Sequence, residues 1–147
     1  MNRLFPSLAA LLALSACSQA AETASPVPGD QADQAPWSGI ESGETIRFTG
    51  TEPFWGGESS GTTLTYSTPE NIDGDTIAIE RFAGRNGLSL SGELEGQPFV
   101  MAVTPGDCSD GMSDRTYPFT VTLQVRGEQR NGCAWTESTS FTGSPNP

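Results

Sequence analysis

Histidine and lysine are absent from this 147-residue chain, and all seven of its basic residues are arginine. Without histidine there is no Ser-His-Asp or Cys-His catalytic arrangement and no histidine-ligated zinc. Without lysine, Schiff-base chemistry and lysine-dependent phosphate loops also fall away. Basic charge is scarce against 18 acidic residues, giving a formal net charge of −11. Nucleic acid is therefore not expected as a partner, because affinity for it rests on cationic contacts to phosphate. An acidic excess instead suits basic proteins, cations or simple solubility. No segment keeps an apolar face at helical period for three turns. The longest apolar stretch, Leu4 to Leu14, is broken by Pro6 and Ser7 and falls short of the roughly 20 residues that span a bilayer.

What is present begins with a sorting signal. Arg3 precedes the apolar run, and the small residues Ser15 and Ala16 follow it, as in a secretory signal. Leu14-Ser15-Ala16-Cys17 resembles the lipobox of bacterial lipoproteins. That resemblance implies cleavage after residue 16, acylation of Cys17 and a firm membrane anchor, since two or more acyl chains hold where one is marginal. Ser18 after the cysteine implies sorting to the outer membrane of a Gram-negative-type envelope. Residues 17–43, rich in Ala, Ser, Pro, Gly, Gln and acid, read as the lipidated cysteine and a flexible linker. Trp37 and Ile40 mark where that linker first meets the domain. The folded domain is expected over 44–143, with 144–147 as a tail.

With Cys17 assigned to lipid, Cys108 and Cys133 form an even pair in an exported chain, and a disulfide is the simplest outcome. It would close a loop of about 25 residues and stabilise the domain by about 3 kcal/mol. From Thr45 onward the apolar period is two: Ile46 and Phe48, Leu64 and Tyr66, Ile77 and Ile79, Leu88, Leu90 and Leu94, then Phe119 through Val125. "PFVMAVT" is apolar on both faces and reads as a central strand. Asp73-Gly74, Asn86-Gly87, Glu95-Gly96 and Arg126-Gly127 are read as the turns between strands. The fold expected is all-β: a small antiparallel barrel or sandwich of seven to eight strands with one disulfide. The barrel is preferred because it leaves no long edge.

Two stretches are denser than strands require: "GTEPFWGGE" at 50–58 and "CSDGMSDRTYPF" at 108–119, with "GCAW" at 132–135. Together they resemble an uncharacterised family of small bacterial envelope lipoproteins, over roughly residues 45–136. The resemblance implies a β domain facing the periplasm. More loosely, the layout is similar to the membrane-bound inhibitors of C-type lysozyme and to META-type domains. In the first stretch, Trp55 either plugs the end of a barrel or lines a ligand mouth. In the second, Asp110, Ser113, Asp114, Arg115 and Tyr117 are the candidate binding residues.

That loop has three readings. Arg115 bridges the neighbouring carboxylates and locks it; its acids ligate Ca²⁺; or it is a rigid surface presented to a protein or glycan. The spacing matches no EF-hand, and no metal or cofactor is expected. Paired carboxylates are the only catalytic equipment available, and no catalysis is expected. The function expected is a lipid-anchored, non-catalytic binding module that binds or inhibits a basic cell-wall hydrolase. The alternative is a small-ligand or cation-binding periplasmic barrel.

Overall fold

The computed structural model describes residues 35–144; Cys17, the signal segment and most of the linker lie outside them. Eight strands follow in chain order: β1 (Ile46–Gly50), β2 (Trp55–Ser60), β3 (Thr63–Thr68), β4 (Asn71–Ala83), β5 (Leu88–Leu94), β6 (Gln97–Ser109), β7 (Thr116–Val125) and β8 (Glu128–Thr136). Each pairs antiparallel with the next, and β1 pairs with β8 (Ile46 opposite Thr136, Thr49 opposite Cys133), so the sheet closes into an up-and-down barrel. None of the described residues is helical.

The period-two pattern decides which face is inside. Ile46 and Phe48, Leu64 and Tyr66, Ile77 and Ile79, Leu88 and Leu90, Phe99, Met101 and Val103, and Val121, Leu123 and Val125 are all buried in one core. An eight-stranded barrel has an interior just wide enough to be filled by its own side chains, and this one is filled. Phe48, Trp55, Tyr66 and Phe99 form a continuous series of ring contacts, with centroids 5.8, 6.2 and 5.6 Å apart in turn.

Trp55 needs room that its neighbours supply by having no side chain. A β-carbon on Gly50 would lie 2.1 Å from the indole nitrogen, and one on Gly132 would lie 2.8 Å from the ring and 2.3 Å from the Thr49 carbonyl. The indole therefore lies across β1 and β8.

Two irregularities shape the outside. In β4, Asn71 faces Thr68 and Asp75 faces Tyr66, so Ile72, Asp73 and Gly74 oppose the single Ser67. Asp73-Gly74 is thus a bulge inside β4, not the turn the sequence suggests; the β3–β4 turn is Pro69-Glu70. Gly74 takes the left-handed conformation there (φ 78°), and its N–H donates to Asn71 Oδ1. In β6, Gly106 and Asp107 oppose the single Pro118. The extra residue bends the β6–β7 hairpin and brings Cys108 over β8, where it forms the expected disulfide with Cys133. "PFVMAVT" lies in β6 with Val100 on the solvent side, because in a closed barrel every strand has an outer face.

The ends of the barrel differ. Turns 51–54, 69–70, 95–96 and 126–127 gather at one end, here called the mouth; turns 61–62 and 84–87 lie at the other. The N-terminal segment joins at the latter. Trp37 N–H donates to the Gly84 carbonyl, its ring meets Phe119 edge-on, and Ile40 is buried in the core. Arg81 donates to the Ile40 carbonyl. The folded body thus begins before residue 44, at about Trp37.

Candidate functional site

Two places on the surface are built with more care than a connection needs: the disulfide-pinned loop and the mouth.

In the loop, both oxygens of Asp110 are engaged. Oδ1 accepts the N–H groups of Met112 (2.9 Å) and Ser113 (2.8 Å); Oδ2 accepts the Ser113 hydroxyl (2.8 Å) and the Tyr117 hydroxyl (3.1 Å). Burial opposes the Asp110 charge, but these four donors outweigh it and hold the carboxyl at about 2, below its ordinary 3.8. Thr51 Oγ1 donates to the Asp110 carbonyl at 3.1 Å, which joins the loop to the β1–β2 turn. Tyr117, Trp135 and Phe141 form an aromatic cluster outside the barrel, with centroids 5.3 to 5.7 Å apart. The segment after β8 supplies Phe141 and is held by two backbone bonds between Thr116 and Thr142.

The structure therefore brings Asp110, Ser113 and Tyr117 together as a lock and leaves Asp114 exposed. Arg115 is placed differently from the carboxylate bridge the sequence suggests. Its guanidinium lies 4.2 Å from the centre of the Phe141 ring, a cation–π contact, and it makes no ion pair among the described residues. The reason is local: Asp110 is already saturated by backbone and hydroxyl donors that lie closer. Among the described residues, no group of three or more acids and cysteines is placed to hold a metal ion. Trp55 is 4 % exposed, on the core side of the barrel end, as a plug would be.

The mouth holds residues that no local sequence signal groups together. A cleft of 640 Å³ is lined from four turns by Pro53 and Phe54, Thr68 through Asn71, Asp75, Glu95, Arg126 and Arg130. Arg130 lies on the inner face of β8. Its Nη1 donates to the Tyr66 hydroxyl (2.6 Å) and its Nη2 to Glu128 (3.0 Å), while its Nε is buried without a partner. Burial pushes the Tyr66 hydroxyl upward, against the pull of Arg130, so it stays protonated and accepts this bond. Arg126 gives both Nε and Nη2 to Glu95 Oε2, at 3.1 and 2.7 Å.

That last pair is not explained by stability. Glu95 (φ 52°) and Arg126 (φ 51°) each precede a left-handed glycine, the signature of type I′ hairpin turns. A non-glycine residue in this region costs roughly 1 kcal/mol or more, so two cost at least about 2 kcal/mol. An ion pair this exposed returns about 0–1 kcal/mol. Glu52 (φ 59°), in the β1–β2 turn, is the third such residue among those described, and all three are at the mouth. At the opposite end, the left-handed position of turn 61–62 is filled by Gly61. Non-glycine residues held in this way tend to cluster at functional positions.

Apolar surface is exposed at Phe82 (71 %) near the opposite end and at Met112 (57 %) in the loop, and the mouth brings two such residues together. Phe54 is 52 % and Ile72 83 % exposed, the latter because the β4 bulge turns it outward. With Pro69 and Trp55 they line a second, shallower cleft of 290 Å³ next to the first. Phe54 belongs to a motif the sequence marks, but Ile72 does not, and its bulge holds the Asp73-Gly74 pair that the sequence marks as a turn. Comparison with family models, with curated proteins and with solved structures finds no match.

Proposed function

We propose that this protein is a non-catalytic binding module, anchored to the outer membrane through acylated Cys17, whose partner is a basic protein such as a cell-wall hydrolase. The observation that carries the reading is the filled barrel. Tyr66, Phe99, Met101 and Leu123 occupy the interior and are each at most 1 % exposed, so what the protein binds meets its outside. That outside carries an excess of carboxylates, and the three ion pairs among the described residues are all partly exposed. A strongly acidic surface steers and orients a basic partner, and such binding weakens with salt.

The test is binding of the chain to a basic C-type lysozyme at low and at physiological ionic strength. Binding that weakens steeply with salt supports the reading; no binding at low salt removes the hydrolase-inhibitor form of it. The mouth cleft favours a second reading, a small-ligand or cation site. A change in intrinsic tryptophan fluorescence on adding small apolar ligands or Ca²⁺, without lysozyme binding, supports that alternative.

A further inference from the structure

The pinned loop and the mouth compete as the place where a basic partner would dock. The loop has spent its central polar groups on itself: both Asp110 oxygens, the Ser113 hydroxyl and the Tyr117 hydroxyl are bonded within it, which leaves Asp114 as its one exposed carboxylate. The mouth has not. Phe54 and Ile72 present apolar surface in one cleft with Pro69. Glu70 and Asp75, both lining the cleft, make no ion pair among the described residues.

The charge of the cleft selects its occupant. Arg126 and Arg130 are each already neutralised, by Glu95 and Glu128, so the charge left uncompensated there is negative. An anion would meet Glu70 and Asp75 with no free cation to offset them. A cation with an apolar stem finds carboxylates for its charge and the Phe54 ring for its methylenes. The strained turn residues Glu95 and Arg126 keep charged side chains on the cleft wall where glycine would suit the backbone better. The β4 bulge interrupts the β3–β4 pairing and turns Ile72 to solvent beside the cleft, and bulges are over-represented next to functional sites. Trp37 and Ile40 join the barrel at the opposite end, so the described part of the N-terminal segment, from residue 35, does not line the mouth.

We propose that the mouth of the barrel is the docking surface for a basic protein, which lays an arginine or lysine side chain in the cleft with its stem on Phe54 and its charge between Glu70 and Asp75. This rests on the reading of the protein as a binder of basic partners, and it names the surface and the chemistry of recognition.

The experiment uses the full chain in detergent, with a basic C-type lysozyme as probe, and compares substitutions that remove equal charge from two places. The pair Glu70→Gln and Asp75→Asn empties the cleft of its uncompensated acids. The pair Glu80→Gln and Glu93→Gln removes two carboxylates from the barrel wall, where both are exposed. Phe54→Ser removes the apolar contact without touching the charge. The expected result is that the cleft pair and Phe54→Ser each weaken binding about tenfold or more near physiological salt, and the wall pair less than about twofold, as for a central anchor against a peripheral charge. Melting curves of all variants are recorded alongside, so that loss of folding is not read as loss of contact. Equal weakening by the two charge pairs, or unchanged binding of a folded Phe54→Ser, overturns the assignment of the mouth and leaves the basic-partner reading standing. Absence of wild-type binding at low salt overturns the assignment together with the hydrolase-inhibitor form of the basic-partner reading.

Discussion

Asp110 is the residue whose removal tests the loop most directly. Replacement by alanine leaves the Tyr117 hydroxyl, on a residue only 2 % exposed, without its acceptor, and a buried unpaired hydroxyl costs about 1–3 kcal/mol. The Met112 and Ser113 N–H groups and the Ser113 hydroxyl also lose their acceptor. They lie nearer solvent, so water recovers most of that loss, and together they add about 1 kcal/mol. Asp110→Ala is therefore expected to lower stability by about 2–4 kcal/mol, or Tm by about 10–20 °C for a domain of this size.

Asp110→Asn separates charge from shape. It keeps Oδ1 for the two N–H groups but offers an amide where Oδ2 accepted the two hydroxyls. The folded carboxyl is depressed from 3.8 to about 2, so its contribution is fully present above the unfolded value and is lost as pH falls through the folded one. The stability difference between wild type and Asp110→Asn, measured by urea unfolding, is expected to be constant above about pH 5 and to shrink between about pH 4 and pH 2. Because every other carboxylate titrates in both proteins, the difference isolates this one. An asparagine variant as stable as wild type at pH 7, or a difference that persists below about pH 2, refutes the account of the lock.

Replacing Cys108 and Cys133 together with alanine is expected to cost about 3 kcal/mol, and thiol titration of the oxidised, unfolded wild type should find neither cysteine free. Gly132→Ala forces a β-carbon against the Thr49 carbonyl and the Trp55 ring, and a cost of about 2 kcal/mol or more is expected in thermal unfolding; a neutral result would mean that Trp55 does not lie across β8. Cys17→Ser is expected to abolish labelling by a palmitate analogue in cells, and labelling that persists would remove the lipid anchor from the proposal.

The strands with strict alternation were legible because period two fixes both the element and its buried face, as in the run from Phe119 to Val125. β2 and β8 were not legible as strands, because their inner faces carry small or polar residues in place of an apolar alternation: Gly57 on β2, beside the Phe48 ring, and Arg130, Gly132, Ala134 and Thr136 on β8, where the Trp55 indole fills the space a side chain at Gly132 would take. Asp73-Gly74 misleads because a left-handed glycine serves a bulge as well as it serves a turn. In the loop, the dense polar stretch the sequence marks contains Asp110, Ser113 and Tyr117, which hydrogen bonds join to one another. The partner of Arg115 was hidden, since Phe141 arrives from the segment after the last strand and nothing near Arg115 announces it. The mouth was invisible for a topological reason: it is assembled from four turns and the strand ends beside them, spread along the chain from Pro53 to Arg130.

The closed meander has one further consequence, for the order in which the structure comes apart. Seven of its strand pairings join neighbours in sequence, and only β1 with β8 joins the two ends of the sheet. Closing that seam carries the largest loop entropy of any pairing, so it is expected to zip last during folding and to part first in native fluctuations. The disulfide does not protect it, since it ties β6 to β8 on the same side of the seam. Two polar fastenings flank it, Thr51 to the Asp110 carbonyl on one side and the Ser138 N–H to the Glu44 carboxylate on the other, while inside the barrel Arg130 on β8 reaches across it to Tyr66 on β3. Amide protons of Arg47 to Thr49 should therefore exchange ahead of those in β5 and β6, and loss of either fastening should speed them while leaving the rest of the barrel protected.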